Sequence, residues 1–390
     1  MKKIFLLLAL LLIPTFFCLN ATETRISALG AEENLFIDDD VNIRIYPSSL
    51  ERYVEKIIVE RGFYPYADSL ANFLFLKELG KFGNIALVFN KTDIPLFPRT
   101  SYQTMIAQPQ SQSNIVYSLR IKDALMLGIS GGYGIAANND DEEGSANDIT
   151  NESSIYSGSF GLSYLLGQAH LLDLSAAMNS YRFKYKQGDN FLFDNDNNLS
   201  TGFHIRFLFY LNDYVSMIPF FGYSTKDLSS TEAAFGQITP RRVKRLTTNR
   251  KSGLGMNFVP FEENKVTVGI IYKNNVYEQS IAPGGEDTTI TDNYLPEVVG
   301  GIESQIKSWL IVRAGFQKSF LNHRVQTTNG ITSITTDKDA PFKLTAGCGI
   351  RLGSISIDGL LNEDFPFTCG YLVSGEQEPV FTKLSATYFF

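Results

Sequence analysis

Apolar and polar residues alternate with period two in one segment of this chain after another, and that alternation most constrains what it can fold into. Phe203, Ile205, Phe207 and Phe209 interleave with His204, Arg206 and Tyr210. Val266, Val268, Ile270 and Tyr272 interleave with Thr267, Gly269 and Lys273. The pattern recurs around Leu172, Leu174, Ala176 and Met178, around Leu310, Val312, Ala314 and Phe316, and from Phe342 to Leu352. Helical spacing would scatter each set around every face, so the segments are read as strands.

Connections between strands alternate in length. Short turns are expected near 80–83, 121–124, 167–170, 212–214, 262–265, 304–308 and 353–354. Longer polar segments are expected at 61–68, 91–113, 137–152, 186–198, 226–248, 279–292, 323–340 and 362–378. Seven turns and eight loops imply sixteen strands, or fourteen if the weak first pair is not one. The fold class this predicts is all-β: a single transmembrane antiparallel barrel with apolar side chains toward lipid and polar ones toward the lumen. A soluble sandwich or propeller also alternates, but seldom keeps strict short-turn, long-loop order.

The two termini favour the membrane reading. Lys2 and Lys3 precede an apolar run over 4–17, and Asn20 and Ala21 offer small residues for cleavage, so 1–21 is read as a secretory signal peptide. Phe16 and Phe17 stand where a lipobox before Cys18 would need small residues. No later run reaches the ~18 apolar residues of a spanning helix. At the other end Leu384, Ala386, Tyr388 and Phe390 share one strand face, and Lys383, Ser385 and Thr387 the other. Tyr388 and Phe390 resemble the terminal aromatic signal read by the barrel-assembly machinery of the bacterial outer membrane.

Composition excludes several functions. A net charge of −7 and the absence of any nucleic-acid motif argue against a polyanion binder. Aromatics make up 13% of the chain, which suits interfacial girdles. Cys348 shares the lipid face with Leu344, Ala346 and Ile350, and Cys369 belongs to the far side of the membrane, so two free thiols are expected. His170, His204 and His323 fall at different heights, and no metal-ligand spacing or catalytic triad is found. The stretch Asp194-Asn195-Asp196 opens like a calcium loop, but Leu199 and Ile205 replace the required glycine and glutamate. No catalysis, metal or cofactor is expected.

Thr24-Arg25-Ile26-Ser27-Ala28-Leu29-Gly30 leads into Phe36-Ile37-Asp38-Asp39-Asp40 and Tyr46-Pro47-Ser48-Ser49-Leu50. This opening resembles that of FadL-type long-chain fatty acid transporters and PorV-like outer-membrane proteins. Tyr46 and Ser48 depart from the family's Asn-Pro-Ala turn, and Ala31 from its second glycine. A looser similarity runs through Leu295-Pro296-Glu297 and Trp309-Leu310 to Phe316. The resemblance implies that 22–50 tucks into a barrel formed by 51–390 as a hatch. Arg25, Asp38, Asp39, Asp40 and Arg44 suit a polar lumen, although the acidic run also reads as a solvated periplasmic turn.

Lumen-lining candidates are Asp173, His204, Arg206, Lys273, Glu303, Arg313, Lys343 and Arg351, a set in which cations predominate and which would favour anions in an open pore. An acidic loop is expected at Asp140, Asp141, Glu142, Glu143 and Asp148, and a basic one at Arg241, Arg242, Lys244, Arg245, Arg250 and Lys251. The basic loop could dock lipopolysaccharide phosphates, or be merely solvated. The expected function is passive uptake or binding of small, hydrophobic or amphipathic solutes. The alternative is a non-transporting scaffold or shuttle in secretion. Expected partners are outer-membrane lipid and lipopolysaccharide, the assembly machinery and a small-molecule solute.

Overall fold

The computed structural model describes residues 22–31, 36–62, 71–90, 112–137, 149–167, 170–187, 190–233, 241–261, 263–282, 285–329, 331–361 and 380–390. The signal-peptide stretch, Cys18, Cys369 and the acidic stretch 140–148 lie outside the described residues. Nine strands come first: β1 (Lys56–Gly62), β2 (Ala71–Glu78), β3 (Asn84–Asn90), β4 (Gln112–Lys122), β5 (Leu125–Ala137), β6 (Ile149–Leu166), β7 (His170–Gln187), β8 (Asn190–Tyr210) and β9 (Val215–Asp227). The short β10 (Ser230–Glu232) precedes β11 (Arg241–Phe261), β12 (Asn264–Ala282), β13 (Asp287–Lys307) and β14 (Leu310–Asn329). The last are β15 (Ile331–Asp339), β16 (Phe342–Leu352), β17 (Ile355–Leu361) and β18 (Phe381–Phe389).

β9 pairs directly with β11, and β14 with β16, so β10 and β15 are additions to a wall of sixteen antiparallel strands. The wall closes where β1 meets β18, from Lys56 opposite Phe389 to Gly62 opposite Lys383. Closure leaves no strand edge for lipid to solvate, which is the condition for a sheet to span a membrane.

Burial is inverted relative to a soluble protein. Ile129, Ile270 and Leu344 are 55%, 57% and 61% exposed, while Arg206, Glu303 and Arg313 are at most 3% exposed. Large apolar side chains cover the outside and charges are sequestered within, so the barrel is a lipid-embedded protein of the bacterial outer membrane. Exposed Phe82, Tyr214, Phe261 and Trp309 stand at or beside the short turns, as an interfacial girdle requires. Both β1 and β18 meet this same rim. Among the described residues no helix is long and apolar enough to cross a membrane. Cys348 is a half-buried free thiol at an outward position of β16.

The long connections differ from expectation. β8, β11 and β13 each run for 21 residues, about twice what crossing the hydrocarbon needs. Much of 186–198, 226–248, 279–292 and 323–340 therefore continues the wall, with Leu246 opposite Glu278 and Thr288 opposite both Gln279 and Thr327. Polar residues on both faces suggest a loop to any hydropathy argument. Above the lipid, however, both faces meet water, and threonine and valine still favour strand. The basic stretch 241–251 is likewise the outer end of β11 rather than a loop.

Candidate functional site

Residues 22–31 and 36–54 pack on the inward face of the strands. Helix α1 (Glu23–Ala28) is capped by Thr22, whose hydroxyl accepts from the Arg25 amide at 3.3 Å. Two 3-10 turns follow at Asp40–Arg44 and Pro47–Arg52, with Pro47 in the first position of the second. Ile26, Leu29, Phe36 and Ile37 share an apolar cluster with Leu208, Phe220, Ile271 and Val299 of the wall. Ile43, Leu50 and Tyr53 join Leu74, Leu76, Val88 and Val116 on the opposite arc.

Three pairs of glycines, each pair directly opposed across a strand ladder, make room for this segment: Gly128 with Gly161, Gly255 with Gly269, and Gly301 with Gly315. A Cβ at Gly128 would lie 2.2 Å from the Ser48 amide nitrogen, at Gly255 2.3 Å from Phe36 Cβ, and at Gly315 2.2 Å from the Leu29 carbonyl carbon. Glycine is needed at the first and third pairs because the segment's backbone comes up against the wall, and at the second because the Phe36 side chain does. Phe36, seated on the second pair, also stacks on Phe220 at 6.3 Å.

Buried ion pairs join the segment to the wall. Arg25 donates through Nε to Glu303 at 2.6 Å, through Nη2 to the other carboxylate oxygen at 2.8 Å, and through Nη1 to Asp39 at 3.1 Å. Glu303 also accepts from Arg313 Nε at 2.5 Å, and Arg313 Nη1 donates to Asp358 at 2.6 Å. Across the lumen, Asp38 and Asp173 share two guanidiniums. Arg206 donates to Asp173 and to Asp38, both at 2.8 Å, and Arg52 to the same two carboxylates at 3.1 and 3.2 Å. Lys56 meets Asp40 at 3.0 Å, and the Thr24 amide donates to Glu60 at 2.6 Å. Arg44 bonds Glu23 within the segment. Burial pushes the Asp38 carboxyl up, but Arg52 and Arg206 outweigh it and hold it below the usual range. Burial and the neighbouring Asp40 push Asp39 well up, and Arg25 offsets only part of this.

His204 meets the Tyr46 ring edge-on at 6.5 Å, and the Arg206 guanidinium lies 4.7 Å over that ring. Lys273 pairs with Glu297 at 2.7 Å, Lys343 is at the outer end of β16, and Arg351 is half-buried by the turn at its other end. Asp173, Arg206, Glu303 and Arg313 are thus brought together with the segment, whereas His204, Lys273, Lys343 and Arg351 stand apart from its ion pairs. The expected excess of inward cations needs correction, because Arg206, Lys273 and Arg313 are each matched by a carboxylate. Glu60, Glu297 and Asp358 supply charge that the sequence reading overlooked. Strand parity would have found Asp358, which alternates with Ile355 and Ile357. Arg245, expected on a solvated loop, is 3% exposed and bonded to Glu232.

Outward of Phe36 lies a cavity of about 600 Å³ lined by Lys226, Lys251, Lys273, Lys343, Glu297 and Tyr294, among others. Lys251 and Lys273 are four residues outward of Gly255 and Gly269, the pair on which Phe36 is seated, so the cavity lies above the segment. No group of three His, Cys, Asp or Glu that could hold a metal occurs among the described residues.

No protein-family model matches the chain, and no curated protein does. Its backbone is similar to the solved copper transporter OprC at 11% identity and TM-score 0.48, covering 79% of this chain and 45% of that one. It therefore spans less than half of that transporter's length. A Pseudomonas aeruginosa FadL homologue matches at 12% identity and TM-score 0.45, covering 92% and 95%. The CymD monoaromatic hydrocarbon channel matches at 11% and 0.39, covering 94% and 97%. Similarity at this level carries neither family nor solute across.

Proposed function

We propose that this protein is a solute-uptake barrel whose N-terminal segment acts as a hatch. The observation that carries the reading is the seating of residues 22–31 and 36–54 on glycine pairs and ion pairs spread around the wall, with a cavity of about 600 Å³ outward of Phe36. A solute entering that cavity would meet the hatch and could pass only when the hatch shifts. The Arg25 and Asp38 contacts tie the segment to the wall through buried charges, which part at acceptable cost only if water or a solute takes the partner's place as the segment shifts. A FadL-type mode of uptake fits this arrangement. The polar lining of the outer cavity disfavours a purely hydrophobic cargo there.

A second reading, a non-transporting scaffold or shuttle, is favoured by the completeness of the same contacts. A hatch that never leaves makes the barrel a rigid platform. One experiment separates the two. In planar bilayers the full chain should show little current, and a variant lacking 22–50 should conduct steadily. An insulating deletion variant that is correctly folded would overturn uptake and leave the scaffold.

A further inference from the structure

We infer that the outer cavity is a binding site for a small multivalent anion bearing phosphate or carboxylate groups. This rests on the uptake reading only in making that anion the cargo; the site itself stands on its own geometry. Four lysines reach the cavity from four strands, Lys226 of β9, Lys251 of β11, Lys273 of β12 and Lys343 of β16, against the carboxylate of Glu297 among its described lining residues. Lys251 and Lys273 stand directly opposite each other in the β11–β12 ladder, both facing inward. Like charges so placed repel each other across a ladder, and negative charge beside them, such as Glu297 at 2.7 Å from Lys273, is favourable there. An anion between them would act in the same way.

The surroundings strengthen the attraction. The cavity is a recess between low-dielectric walls, where field lines are concentrated and a charge is worth more than on an open surface. Deeper in the barrel Arg206 and Arg313 are matched by carboxylates. Asp292, farther out on β13, is bonded to His323 at 2.5 Å. Lysine is a compact, mobile cation suited to oxyanions of varied shape, unlike the fixed fork of arginine. The volume of about 600 Å³ suits a metabolite-sized ligand and excludes a polymer. Asn249, Asn275 and Gln317 add neutral polar groups to the lining.

The test is calorimetric titration of the full chain in detergent micelles with pyrophosphate, with citrate and with putrescine. Saturable binding of one or both anions is expected, with none for the diamine, and the arm that binds identifies the oxyanion. Lys251→Gln and Lys343→Gln should each weaken binding about threefold and together about tenfold, and added salt should weaken it further. Glu297→Gln should tighten it, a gain that a merely structural role would not produce. Retained heat-modifiable gel mobility shows that each variant is folded. No saturable binding of either anion up to about 10 mM, or equal binding by the folded double variant, overturns the site. Binding is read without flux, so an anion-binding barrel whose hatch deletion does not conduct keeps the site and loses the uptake reading. A conducting deletion of a barrel that binds neither anion does the reverse.

Discussion

Asp38 and Asp39 are sequence neighbours in opposite electrostatic surroundings. Two guanidiniums hold Asp38 below its ordinary value, so its contribution to seating the N-terminal segment is present above that value and is lost as pH falls through the lowered one. Burial and Asp40 raise Asp39, so its contribution is present at low pH and is lost as pH rises through the raised value. Asp38→Asn should destabilise seating by about 2 kcal/mol, whereas Asp39→Asn should cost less and flatten the loss of seating at rising pH. Maleimide labelling of Ser49→Cys across pH, in a cysteine-free background, checks both. Steric fit can be tested at glycine. Gly255→Val would drive a methyl into Phe36, whereas Gly131 has nothing within 4 Å of an added Cβ. The first should raise labelling at position 49 several-fold and the second leave it unchanged; equal labelling would mean that the glycine pair is no seat.

Strand β18 joins the two ends of the wall. The Phe389 amide donates to the Ser354 carbonyl at 2.9 Å, Phe390 stacks on Phe75 at 6.0 Å, and Lys77 lies 4.9 Å over the Phe390 ring. Removing 388–390 takes away the last rungs between β18 and both neighbours at the girdle. Such a truncation should cut outer-membrane levels sharply, because an unclosed edge exposes backbone groups that lipid cannot satisfy. Membrane fractionation checks it, and undiminished levels would show that closure does not depend on this end. Period-two parity told the two faces of each strand apart, and the short turns were legible because tight reversals use glycine, asparagine and aspartate. The outer strand extensions were not legible, since their polar pattern is set by water on both faces.

For the whole molecule, the charge pattern makes the wall separable from the N-terminal segment. Arg206 with Asp173, Arg313 with Glu303 and Asp358, and Lys273 with Glu297 are pairs within the wall, and they persist if 22–50 is removed. Among the described wall residues, Lys56, Glu60, Lys383, Ser385 and Thr345 lose partners in the segment, namely Asp40, Thr24, Glu23, Thr22 and the Ala28 carbonyl. The deletion variant should therefore retain heat-modifiable mobility, with a lowered denaturation midpoint. A variant that fails to insert would mean that the segment is part of the folding core.

The sequence by itself determined the barrel: a strand period of two, the order of turns, and which side chains face lipid follow from local geometry and hydropathy, with no long-range information needed. It also named Arg25, Asp38 and Glu303 as candidates for a polar interior, with the acidic run left open as a solvated turn. Only the tertiary structure decided which charges meet, because Arg25 and Glu303 are 278 residues apart and come together through closure of the wall. It alone showed that glycines opposed across the ladder are seats, and that four lysines from distant strands share one cavity. These are properties of register and curvature, which a single strand's pattern does not encode.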